Sequence, residues 1–101
     1  MKVVNVGEVK KVILNNKQII RNYGVNKLGL FGSFVRDEQK ENSDVDLLVD
    51  FDKDQNTFKN FMGFADFMEE TLGRKVDVVT LQSLSPFIGP YILKEVKYVE
   101  V

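Results

Sequence analysis

The feature of this sequence that most constrains its fold is a repeated switch between helical and strand-like spacing of apolar residues. In residues 9–23 and 58–72 apolar side chains recur at spacings of three and four, which indicates amphipathic helices, and a glycine follows each segment. In residues 45–51 the spacing alternates instead, which indicates a strand. We predict helices over residues 9–23, 34–39, 58–72 and 91–95, and strands over residues 27–31, 45–51, 75–79 and 98–101.

This order of elements predicts a small α/β (α+β) domain. Helices and strands that alternate along the chain form a mixed sheet, here of three or four strands. We expect the helices mainly on one face, because a sheet must bury its apolar side against another layer. The length of 101 residues suits a single domain, residues 1–101, whose substrate pocket is shallow or is completed by a partner chain.

Composition excludes several kinds of chemistry. The chain has no cysteine and no histidine, so disulfides, thiolate sites and imidazole catalysis are excluded, and any reaction must use carboxylates, hydroxyls, Lys, Arg or backbone amides. The net charge of −1 gives no basic face, so direct nucleic-acid binding is not expected. No signal peptide or membrane-spanning run is visible, and we expect a cytoplasmic protein without a membrane partner.

A Gly-Ser pair follows the first predicted strand. Gly32 would let the backbone approach a ligand closely, and the helix that follows would point free N–H groups at an anion. Ser33 adds a hydroxyl donor. The pair therefore fits a small phosphate-binding corner, although Gly-Ser is also a common turn.

Two aspartates lie two residues apart at the start of the second predicted strand. Side chains alternate across a strand, so Asp44 and Asp46 project from one face, about 7 Å apart along the strand. Such carboxylates repel unless a cation lies between them, and Mg²⁺ takes oxygen ligands from a few carboxylates plus substrate phosphates. The alternatives are a solvated strand start or the acid–base pair of a glycosidase, for which the chain offers little room.

A third aspartate interrupts an apolar strand. Asp77 lies within residues 76–79, where an unpaired charge is costly to bury. If this strand lies beside the one that carries Asp44 and Asp46, three carboxylates could hold two metal ions. The alternative is an aspartate on an edge strand, facing water and paired with Lys75 or Arg74.

Residues 32–38, 43–49 and 76–79 together resemble the minimal nucleotidyltransferases of the DNA polymerase β superfamily. That family's pattern is a Gly-Ser pair, a nearby Arg and Glu, an Asp-x-Asp strand, and a further Asp on a later strand. The resemblance covers about residues 28–99. It departs from the family's frequent Ala-Arg-Gly-Glu at Val35 and at Asp37, which stands in place of the glycine.

The resemblance implies roles for six residues. It implies two Mg²⁺ ions and ATP as the substrate, with Asp77 as the candidate base for the incoming nucleophile. Arg36 would reach a phosphate, and we expect no pair with Glu38, because residues two apart on a helix do not face each other. The implied metal ligands are Asp44, Asp46 and Asp77, and the implied phosphate-binding residues are Gly32, Ser33 and Arg36.

The resemblance also implies a partner. Such proteins are commonly encoded as antitoxins beside HEPN-domain ribonuclease toxins, so this chain would adenylylate a tyrosine of the toxin. Alternatives are an inactive module that neutralises its partner by contact, and a regulatory domain that binds a nucleotide or Ca²⁺. A homo-oligomer is also compatible with the sequence.

The helix over residues 58–72 gives a separate indication of a partner. Phe64 and Phe67 lie off its expected buried stripe, so they would either meet a partner or lie under a loop. The stripe consists of Phe58, Phe61, Met62, Ala65, Met68 and Leu72.

Overall fold

The computed structural model describes residues 2–101 and contains five helices and four strands within them. A single 3-10 turn, Leu81–Ser83, follows the third strand. The helices are α1 (Val6–Asn15), α2 (Lys17–Asn22), α3 (Ser33–Arg36), α4 (Phe58–Leu72) and α5 (Gly89–Glu95). The strands are β1 (Val25–Phe31), β2 (Val45–Phe51), β3 (Val76–Thr80) and β4 (Lys97–Val99).

The strands form one mixed sheet in the order β3-β2-β1-β4. Strand β1 runs antiparallel to both β2 and β4. Strand β2 runs parallel to β3, and α4 provides the crossover that a parallel pair requires. The predicted α/β class with a mixed sheet is confirmed.

The sheet is covered on both faces, but unequally. The larger core packs α1, α2 and α4 against one face, where β2 contributes Val45, Leu47 and Val49. The opposite face carries a smaller cluster of Phe31, Leu48 and Ile92, the last from α5. The prediction of helices mainly on one face is confirmed, because the alternation in β2 sends its aliphatic residues chiefly to that side.

The first predicted helix is in fact two. Residues 9–23 were expected to be continuous, but Asn16 has φ −122° and ψ 21°, which separates α1 from α2. Its side-chain Nδ2 donates to the carbonyl of Val12 at 2.7 Å. Asparagine side chains compete with the backbone for hydrogen bonds, and apolar spacing alone does not show such a break.

The buried face of α4 differs from the predicted stripe. Phe64 is fully buried, whereas Phe58 is 81% exposed and Met62 is 39% exposed. Phe67 is half-buried, with its ring centroid 6.1 Å from that of Tyr23. The predicted stripe was therefore wrong at Phe58 and Met62, and Phe64 belongs to the core rather than to a surface for a partner.

Candidate active site

Asp46 and Asp77 lie side by side in the sheet. The parallel register of β2 and β3 pairs Asp46 with Asp77, so the two side chains project from the same face. That face is the one that carries Leu48 and α5, since Asp46 alternates with the residues of the larger core. Asp44 lies immediately before β2 and is exposed. Asp77, on the edge strand, is exposed as well.

The charge of Asp46 is opposed by its surroundings. Partial burial raises the pKa of its carboxyl to about 6, and the neighbouring charges of Asp77, Asp44 and Glu95 add to the effect. The cation of Arg36 acts in the opposite direction. A half-buried carboxylate crowded by other carboxylates is an environment that a divalent cation would relieve.

The aspartates do not form a ready-made metal cage. Among residues 2–101, no three Asp or Glu side chains lie close enough together to hold a metal ion by themselves. This arrangement fits Mg²⁺, which keeps several waters and is held by one or two carboxylates together with substrate phosphates. The residues present therefore fit a metal that arrives with a nucleotide.

Neither basic residue that the sequence suggested as a partner of Asp77 pairs with it in residues 2–101. Lys75 and Arg74 form no salt bridge to Asp77 within the described part of the chain. Arg74 is instead buried, and its guanidinium donates to the carbonyl of Val3 at 2.6 Å and of Ser43 at 2.9 Å. Arg74 thus fixes the loop that leads into Asp44, rather than neutralising Asp77.

Gly32 is required where β1 turns into α3. Its φ is +80°, a conformation that L side chains rarely adopt. A Cβ at this position would lie 1.9 Å from Oδ2 of Asp46, since β1 pairs Phe31 with Asp46. The absence of a side chain at Gly32 therefore leaves room for the carboxylate beside it.

Arg36 is held by two carboxylates. Its Nε donates to Oε1 of Glu38 at 2.7 Å, so the expectation that these two residues do not pair was wrong. The reason lies at Asp37, whose φ of 58° and ψ of 39° end α3 and fold Glu38 back toward Arg36. The same left-handed conformation accounts for a glycine at this place in the family's pattern, and aspartate tolerates it better than most residues.

Glu95 is a residue of this site that the sequence analysis missed. Its Oε2 accepts the N–H of Gly32 at 2.6 Å, and its two carboxylate oxygens accept Nη1 of Arg36 at 2.9 and 3.1 Å. Glu95 is 63 residues from Gly32 along the chain, so no local spacing connects them. The one available signal was an acidic residue at the C-terminal end of α5, where the helix dipole disfavours a negative charge.

A largely apolar groove adjoins the Gly32 corner. It has a volume of about 580 Å³ and lies between the end of β1 and α5. Tyr91 is 76% exposed there and Ile88 is 58% exposed. The groove is lined by Phe31, Gly32, Arg36, Ile88, Tyr91, Ile92, Lys94 and Glu95.

None of the helices in residues 2–101 has the length and apolar character needed to cross a membrane.

The sheet and the corner together define a class of protein. A mixed four-stranded sheet with neighbouring aspartates beside a Gly-Ser turn is the arrangement of a minimal nucleotidyltransferase domain. A family model described as "Nucleotidyltransferase domain" matches residues 9–99, and the chain belongs to this family. It is therefore an enzyme of the nucleotidyltransferase class.

Individual relatives extend the comparison. The chain is 39% identical over 100 residues to the protein adenylyltransferase MntA of Thermococcus cleftensis, covering 98% of this chain and 100% of that protein. A solved structure provisionally described as a minimal nucleotidyltransferase has a TM-score of 0.80 at 26% identity, covering 93% of this chain and 95% of that one. A toxin–antitoxin structure with AMP-PNP has a TM-score of 0.71 at 24% identity, covering 88% and 70%, and shows likeness of fold alone.

Proposed function

We propose that this chain transfers AMP from ATP to a hydroxyl of a partner protein and thereby acts as an antitoxin. The observation that carries the proposal is the pairing of Asp46 with Asp77 on one face of the sheet, beside the Gly32 corner. Support comes from the 39% identity to the adenylyltransferase of T. cleftensis, which extends over the whole of that protein. The fold shared with a toxin–antitoxin structure that contains AMP-PNP agrees with it.

The Gly-Ser corner and Arg36 would bind the β- and γ-phosphates of ATP. Gly32 allows close approach because it carries no side chain, and Ser33 supplies a hydroxyl donor. Arg36 has one terminal nitrogen, Nη2, that forms no hydrogen bond within residues 2–101 and is available to a phosphate oxygen. These contacts would orient the α-phosphorus toward the exposed carboxylate of Asp77.

Asp77 would accept the proton of the incoming hydroxyl. The hydroxyl oxygen attacks the α-phosphorus, the bond from that phosphorus to the bridging oxygen breaks, and pyrophosphate leaves. Two Mg²⁺ ions, held by Asp44, Asp46, Asp77 and the phosphates, would neutralise the charge that develops in this displacement. Little covalent chemistry is asked of the protein, which agrees with the absence of His and Cys.

The acceptor that we propose is a tyrosine of a HEPN-domain toxin. Asp77 lies on the edge strand and is exposed, so a side chain from another folded protein can reach it. A tyrosine hydroxyl stands at the end of a rigid ring, which extends it beyond the surface of its own protein.

A transfer assay tests the proposal. The chain is incubated with Mg²⁺, ATP labelled at the α-phosphate and a HEPN-domain partner, and label on the partner is measured. Asp46→Asn and Asp77→Asn should abolish labelling, while Asp66→Asn, on the exposed side of α4, should retain it. Circular dichroism confirms that each variant is folded.

The same assay separates transfer from neutralisation by contact. If the partner is inhibited without being labelled, and inhibition survives Asp46→Asn, the chain is a binding module and the proposal fails. If Asp77→Asn unfolds the protein, the role of Asp77 is structural.

A further inference from the structure

The carboxylate of Glu95 joins two parts of the proposed phosphate-binding corner. It accepts the Gly32 N–H at 2.6 Å and Nη1 of Arg36 at 2.9 Å. Gly32 is buried and its backbone is in an unusual conformation, so an acceptor for its N–H is needed to hold the turn. The side chain of Glu95 is 27% exposed, and its contact with Gly32 is partly buried, whereas its contact with Arg36 lies at the surface.

We propose that Glu95 is a positioning residue for nucleotide binding, which acts by holding Arg36 and the Gly32 turn in the geometry that receives the phosphates. This inference rests on the proposed function, since it concerns the same corner. No sequence motif of the corner includes Glu95, because it comes from α5 at the other end of the chain.

The contacts of Arg36 show how this positioning works. An isolated arginine side chain has many rotamers, and holding it in one of them costs conformational entropy. Glu38 fixes Nε and Glu95 fixes Nη1, so the plane of the guanidinium is set by two carboxylates before a ligand arrives. The hydrogen bonds that Arg36 donates to Glu38 and Glu95 also raise the pKa of Arg36. Preorganised donors bind an anion more tightly than mobile ones.

If Glu95 instead opposed nucleotide binding, removing its charge would change the affinity for ATP in the opposite direction. A carboxylate that merely occupied the phosphate position would compete with ATP, and its removal would tighten binding. Loss of a negative charge near a polyanionic ligand would also tighten binding. A weaker affinity after removal of the charge therefore distinguishes a positioning role of Glu95 from competition with ATP or repulsion of it.

The experiment is a calorimetric titration with α,β-methylene ATP and Mg²⁺, which reads binding without transfer. Glu95→Gln keeps a carbonyl acceptor for the Gly32 N–H but loses the charge that holds Arg36. We expect it to weaken binding about tenfold, in keeping with the loss of one charge-assisted contact. Glu70→Gln, an exposed residue of α4, is the matched control and should bind like the wild type.

A double-mutant cycle tests whether Glu95 acts through Arg36. If it does, Arg36→Gln combined with Glu95→Gln should bind no more weakly than Arg36→Gln alone, within about twofold. A residue that only stabilises the fold would give additive losses. Additive losses, or an affinity that Glu95→Gln leaves unchanged or improves, would overturn the proposal.

A second variant tests the geometry without removing the charge, so that the conclusion does not depend on Glu95→Gln remaining folded. Glu95→Asp keeps the charge but shortens the side chain by one methylene, so weaker binding by this variant is an effect of geometry alone. Binding equal to the wild type would contradict the inference. If the wild type binds the analogue but transfers no AMP to a partner, the proposed function is wrong, and the test of Glu95 still stands. A wild type that fails to bind the analogue overturns both.

Discussion

At the scale of single residues, Asp46 is placed where its charge is unfavourable in the absence of a ligand. Partial burial and the charges of Asp77, Asp44 and Glu95 raise its pKa to about 6 from the ordinary 3.8. The folded chain therefore holds this proton more tightly than the unfolded chain does. The resulting stabilisation is complete below about pH 4 and is lost as the pH rises through about 6.

We expect Asp46→Asn to stabilise the metal-free protein at neutral pH. The asparagine carries no charge at any pH, so it removes a repulsion that the wild type has only above its pKa. Because Asp46 is only partly buried, solvent screens part of the repulsion, and we expect a gain in the free energy of unfolding of roughly 1 kcal/mol at about pH 8, with almost none at about pH 4. Urea unfolding in the presence of EDTA measures it, and Asp66→Asn controls for the loss of a carboxylate elsewhere. Equal gains at both pH values would contradict this account.

Gly32→Ala should disturb the corner in two ways. The positive φ makes any side chain costly by about 1–2 kcal/mol, and the new Cβ would have to displace the Asp46 carboxylate from 1.9 Å. We expect lower stability together with loss of AMP transfer. Gly24→Ala has a similar φ of 89° at the opposite end of β1, where its Cβ would clash with Gln55, and should lower stability while transfer persists. Transfer lost equally in both variants would show that the effect is not local.

The residues of the corner were predictable from the sequence to different degrees. Asp46, Asp77 and Gly32 stand in short patterns whose spacing carries chemical meaning, and the structure brings these three together. Glu95 was not predictable, because its partners are distant in the chain and its own segment has an ordinary helical pattern. The Arg36–Glu38 pair was missed because the helix was expected to continue through Asp37, where the backbone turns left-handed.

At the scale of elements, local signals fixed some boundaries and not others. The bounds of α4 were predicted correctly, because Thr57 caps its start by accepting the N–H of Asn60 and Gly73 ends it with φ 71°. Strand β2 was also predicted correctly from its alternation. The break at Asn16 was missed because one polar residue interrupts a helix without changing the apolar period around it.

The orientation of α4 gives a prediction about stability. Phe64 is fully buried against the sheet and Phe58 is 81% exposed, the reverse of the sequence expectation. Phe64→Ala should therefore cost about 3–5 kcal/mol, whereas Phe58→Ala should change the free energy of unfolding by less than about 0.5 kcal/mol. Urea denaturation compares the two variants directly, and a larger loss for Phe58→Ala would show that α4 is rotated in solution.

At the scale of the whole molecule, we expect the three aspartates to need a nucleotide to complete the proposed metal site. Since no three acidic side chains in residues 2–101 are placed to hold a metal ion by themselves, Mg²⁺ alone should bind weakly and raise the melting temperature by less than about 1 °C at millimolar concentration. Mg²⁺ with α,β-methylene ATP should raise it by several degrees, roughly 4–8 °C for each kcal/mol of binding linkage.

Differential scanning fluorimetry measures these shifts, with Ca²⁺ alone as a comparison ion. Asp46→Asn should lose most of the additional shift that the nucleotide gives. A large shift with Mg²⁺ alone would show that the carboxylates close into a complete cage without a substrate.

If Asp77 accepts the proton of the acceptor as proposed, its exposed position on the edge strand has a consequence for turnover. No segment has to open before an acceptor arrives, because the carboxylate already stands at the open rim of the sheet. Water reaches the same place as freely as a protein side chain does. An uncovered reaction centre of this kind cannot exclude solvent by closing over its substrate. Its selectivity for one hydroxyl over another would therefore depend on how long, and how accurately, the docked partner holds that hydroxyl in line with the α-phosphorus.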